Sequence, residues 1–112
     1  KGGGSLEHKF WQQKISKHFQ DKFYETYIEF VLDDSQLDVF AVSSSGEKTG
    51  IEVALSPGGE IENLKKDLKL DLDEIIVACK NERVMSQVGK KGRNELGEKI
   101  KEVRFCLVTD FT

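Results

Sequence analysis

Apolar positions recur along this chain with the helical period in some stretches and with the strand period in others, and the switches between them mark its elements. In the first stretch Trp11, Ile15 and Phe19 fall every fourth residue while Lys9, Gln13 and Lys17 face away, so the spacing predicts an amphipathic helix over 6–19. His8 joins that stripe one turn before Trp11, and Phe10 falls off it. The segment 23–32, FYETYIEFVL, alternates and is rich in aromatic and β-branched residues, which predicts a strand. Alternation puts Tyr24, Thr26, Ile28 and Phe30 on one face of it, with Glu25, Tyr27, Glu29 and Val31 on the other. Asp33, Asp34 and Ser35 suit a turn, since their side chains can bond their own backbone. Strands over 37–42 and 50–55 follow, joined by a serine-rich turn that ends at Gly46. Three strands with tight connections predict an antiparallel meander.

Ser56, Pro57, Gly58 and Gly59 break the third strand, and a helix is expected from Glu60 with Ile61, Leu64 and Leu68 as its buried stripe. Acids in its first turn and Lys65, Lys66 and Lys69 later suit the helix dipole. The run from Ile75 to Cys79 is apolar throughout, as in a strand covered on both faces within a parallel pair. Asn81 is placed to cap a helix carrying Val84 and Val88, and Gly89, Gly92 and Gly97 predict a break around 89–93. VRFCLV, over 103–108, reads as a last buried strand. The expected fold class is α/β: a mixed sheet in the order α-β-β-β-α-β-α-β with helices on its faces.

Length and charge narrow this picture. At 112 residues one domain is expected over 6–112, with the glycine-rich residues 1–5 a linker or the end of a preceding domain. A net charge of -3 gives no bulk attraction to nucleic acid or anionic membrane, so any nucleic-acid contact needs local basic patches. No apolar run approaches a membrane span, and a cytoplasmic location with Cys79 and Cys106 reduced is the expectation.

The chemistry gathers in LDVFAVSSSGEKTGIEVALS, from Leu37 to Ser56. Each of its two strands sets one carboxylate among apolar neighbours, Asp38 and Glu52, and pairing as a hairpin would bring the two together. Carboxylates that close repel one another unless a cation or a proton lies between them.

With acids on the second and third strands of a helix, meander, helix and strand, the chain resembles the restriction-endonuclease-like fold and its PD-(D/E)XK nucleases. The segments GGGSLEHKFWQQKI, LDVFAV, GIEVALS, ENLKKDL and DEIIVACK are similar to a C-terminal domain of prokaryotic DNA-pumping or conjugation-type ATPases of mobile elements. The resemblance implies that Asp38 and Glu52 bind Mg²⁺ (or Mn²⁺), with thirteen residues between them. It implies an upstream acid, for which Glu29 is the first candidate and Glu25 the second. It also implies a Lys two residues after Glu52, where this chain has Ala54. Alanine offers neither charge nor donor, so Lys66 or Lys65 on the following helix is the candidate replacement. Ser56 could bind a phosphate or a water, and His8 is either a helix-start histidine or a side chain aimed at the site. DNA, an ATPase domain upstream and a second copy of the chain are the implied partners, with Lys65, Lys90, Lys91 and Arg93, and on the first helix Lys14, Lys17 and Lys22, as basic contacts. The expected function is therefore a nuclease-like domain that acts on or binds DNA. The alternative is an inactive nuclease-fold module for DNA binding or protein docking.

Overall fold

In the computed structural model, which describes residues 5–58 and 60–112, the expected elements form in the expected order. They are α1 (Leu6–Gln20), β1 (Glu25–Leu32), β2 (Ser35–Val42), β3 (Lys48–Ala54), α2 (Glu60–Asp67), β4 (Glu74–Cys79), α3 (Glu82–Leu96) and β5 (Val103–Leu107). The reading of Gly2, Gly3 and Gly4 as linker, and of Gly59 as part of a strand break, lies outside the described residues. No helix among the described residues is long and apolar enough to cross a membrane.

The five strands lie in the order β1-β2-β3-β4-β5. The first three pair antiparallel; β3, β4 and β5 pair parallel. Helix α1 covers one face, where Ile15 and Phe19 pack on Val39, Ala41, Ile51 and Val53. Helices α2 and α3 cover the other, where Ile61, Leu64, Val84 and Val88 pack on Ala54 and Val77. A central strand then has no wet side, which accounts for the unbroken apolar run in β4.

Local chemistry sets the ends. The Ser5 hydroxyl accepts the His8 backbone N–H at 3.1 Å and starts α1, and the Asn81 side chain accepts from Val84 at 2.9 Å and starts α3. Phe23, at φ 67°, turns the chain out of α1, so β1 begins two residues later than the alternation predicts.

Two expectations are corrected. Helix α3 runs unbroken through 89–93, because Gly89 and Gly92 lie on its buried side. Gly92 lets α3 close on Ile100, whose Cδ1 would lie 2.6 Å from an added Cβ. Packing outweighs the weak helix propensity of glycine there. In β1 the alternation fails at Glu29, which takes φ 53°. Phe30 therefore joins Tyr27, and both rings meet Phe40, with Phe30 and Phe40 stacked at 4.9 Å.

Candidate functional site

Strands β2 and β3 pair only from Val39↔Ile51 to Val42↔Lys48. Beyond that point β2 stays with β1 down to Ser35, and β3 stays with β4 up to Ala54, so the sheet forks. Asp38 sits at the fork. Its pairing lapses on the other side too, since the β1–β2 register passes from Ile28↔Val39 to Phe30↔Leu37 and skips Glu29 and Asp38.

A fork strips backbone groups of their ladder partners, and buried backbone groups must be satisfied. Asp38 does much of this itself. Its Oδ2 accepts the Val53 N–H at 2.8 Å, and its own carbonyl accepts Gln12 Nε2 at 3.3 Å. The carboxylate is thus directed into the gap between the strands and not along the pleat with Phe40 and Val42, as simple alternation predicts. His8 Nε2 approaches Asp38 Oδ2 at 3.3 Å, while its Nδ1 is buried and finds no hydrogen-bond partner among the described residues. His8 thus lies in the first turn of α1 and within reach of Asp38.

Glu52 is 0% exposed and immediately precedes the residue whose N–H Asp38 accepts. Ile51 and Val53 pack toward α1, so Glu52 shares the other pleat face with Gly50 and Ala54, the face that α2 and α3 cover. Asp38, by contrast, reaches His8 of α1. Glu29, like Asp38, falls in the gap of the β1–β2 register between Ile28↔Val39 and Phe30↔Leu37. Glu25 pairs with Val42 at the far end of β1, where Tyr27 donates to it at 3.0 Å. Of the two upstream acids, Glu29 alone is near Asp38 in register.

Ala54 is fully buried in the core beneath α2 and α3, so this strand position brings no basic group to the fork. Lys65 is engaged elsewhere, 3.2 Å from Glu62 and 3.7 Å from Glu95, and Glu62 chiefly raises its pKa. Lys66 lines a groove of about 200 Å³ with Asn63, Ser35 and Gln36, on the β2 arm of the fork. Ser56 is exposed beyond the end of β3. Lys90, Lys91 and Arg93 are exposed on α3, which packs on α2, β4 and β5 and is not brought to Asp38.

Two participants escaped the sequence. Gln12 lies one turn after His8 on the buried side of α1, and its signal was a polar residue at the stripe's own spacing, four after His8 and three before Ile15. Asp67, also 0% exposed, accepts the Ser35 hydroxyl and ties the β2 arm to the end of α2. Its signal was an acid three residues after Leu64, on the buried stripe.

Among the described residues no group of three or more His, Cys, Asp and Glu is arranged to hold a metal ion. The cysteines lie elsewhere and are unpaired, Cys79 toward α2 and α3 and Cys106 toward α1. Burial pushes their thiols up to about 12 and about 11. Among protein-family models, curated proteins and solved structures, no match to the chain is found.

Proposed function

We propose that this chain is a nuclease-like domain that acts on DNA at the β2–β3 fork, with Asp38 and Glu52 as ligands of a Mg²⁺ or Mn²⁺ ion. One observation carries the proposal: the buried Asp38 carboxylate is hydrogen-bonded to the backbone of β3 one residue past the buried Glu52. The donor set fits a hard cation. Mg²⁺ takes one or two protein carboxylates and completes its shell with water and phosphate oxygens, so two acids suffice. Bound there, the ion would polarise a phosphodiester oxygen and lower the pKa of a water.

The chain's own contribution is orientation. Val53 N–H and His8 fix one oxygen of Asp38, and Gln12 fixes its backbone. Lys66, on the β2 arm, is the replacement for the missing lysine, because Lys65 is drawn to Glu62 and Glu95. An accessory role in a larger DNA-translocating ATPase is proposed from the sequence resemblance alone.

A second reading has its own support. Asp38 satisfies a backbone group at the fork, a structural duty that an inactive DNA-binding or protein-docking module would retain. Incubation of supercoiled and single-stranded DNA with the protein and Mg²⁺ or Mn²⁺ separates the two. Metal-dependent cutting that Asp38→Asn and Glu52→Gln both abolish is the expected result. Salt-sensitive binding without cutting supports an inactive DNA-binding module, and neither cutting nor binding contradicts both the nuclease and the DNA-binding module and leaves protein docking.

A further inference from the structure

The outward side of α1 carries a groove of about 340 Å³ lined by Phe10, Gln13, Lys14, Ser16, Lys17 and Gln20. These residues lie at helical spacing and run for about 15 Å along the axis. Ser16 and Gln20 both bond the Thr26 hydroxyl, at 2.7 and 3.0 Å, which ties this side of α1 to β1.

Its chemistry is specific. Helix α1 holds Lys9, Lys14 and Lys17 against the single acid Glu7, in a chain whose net charge is -3. Phe10 is 51% exposed, with Trp11 edge-on at 5.0 Å and the Lys14 ammonium 5.6 Å from its ring centroid. An exposed ring beside lysines is the pairing that single-stranded nucleic acid uses, with bases on the ring and phosphates on the cations. Lys17 is bound to Asp21 at 2.8 Å, but that pair is exposed and weak enough for a phosphate to compete.

We propose that this groove seats a single-stranded stretch of nucleic acid, with a base stacked on Phe10 and phosphates on Lys14 and Lys17. The inference rests on the nucleic-acid reading above and names the surface that the strand occupies. Position ties α1 to Asp38. The opposite side of α1 carries His8 and Gln12, which touch Asp38, so a strand in the groove lies on the helix that borders the fork. Helix α3 lies on the other face of the sheet.

Fluorescence anisotropy with a labelled thymidine oligonucleotide, across a salt series, tests the assignment. Replacing Lys14 and Lys17 together by alanine is expected to weaken binding at least about tenfold and to lower the slope of log affinity against log salt by roughly 1.4, two phosphates' worth. Phe10→Ala is expected to weaken binding about tenfold with the slope unchanged. All three side chains are exposed, so these variants keep the fold. If the α1 variants bind like wild type while Lys90→Ala with Lys91→Ala loses affinity, the groove is wrong and the nucleic-acid reading stands. Equal or tighter binding of a duplex overturns the single-strand assignment. Wild-type protein that binds no oligonucleotide overturns the nucleic-acid reading and the groove with it.

Discussion

Asp38 combines two duties that substitution can separate. Asp38→Ala removes the acceptor of a buried N–H, which costs about 1–3 kcal/mol, and the urea midpoint is expected to fall by that equivalent. Asp38→Asn keeps an acceptor oxygen for Val53 and should lose markedly less stability in the same measurement. At this scale Asp38 and Glu52 were legible because a carboxylate inside an apolar strand stands out. The direction of Asp38 was not, because alternation assumes a regular ladder, and Glu29 at φ 53° interrupts it. Gln12 and Asp67 were legible only as blemishes in apolar stripes, since their partners, Asp38 and Ser35, lie far away in sequence.

Helix α3 shows where element-scale reasoning from propensity fails. Its glycines predict a break, but propensity is a weak prior against burial, and Gly92 is needed for the approach of Ile100. The two glycines should therefore respond differently to substitution. An added Cβ at Gly89 meets only Arg93 at 3.5 Å, so Gly89→Ala is expected to stabilise the protein by about 0.5–1 kcal/mol. At Gly92 the same change meets Ile100 Cδ1 at 2.6 Å and Ile61 at 3.5 Å, and the shift forced on Ile100 should cancel that gain. Thermal melting of the two variants beside wild type checks the contrast. Where the local signal was clean the element was legible: the strand run in β4 and the Asn81 cap fall where the pattern places them.

Over the whole molecule, a sheet covered on both faces leaves Cys79 buried and Cys106 half-buried, and this sets an alkaline limit. Burial raises Cys79 from 9.0 to about 12 and Cys106 from 9.0 to about 11, so the folded state holds these protons more tightly than the unfolded state. The resulting stability is fully present below about pH 9 and is lost as pH rises through the folded values. The urea midpoint of wild type should therefore fall more steeply above about pH 9 than that of a variant with Cys79→Ala and Cys106→Ala. The order of elements along the chain and the mixed character of the sheet were legible from the two periods, whereas the fork was not, because no local pattern records where β2 leaves β3. That fork is the centre of the functional account, and a Mn²⁺ titration followed by electron paramagnetic resonance, with Mg²⁺ as competitor, tests it most directly. Wild type is expected to take up Mn²⁺ that Mg²⁺ displaces, while Asp38→Asn and Glu52→Gln, still folded, bind at least about tenfold more weakly. Wild type that takes up no ion, or variants that bind it as wild type does, would contradict the account.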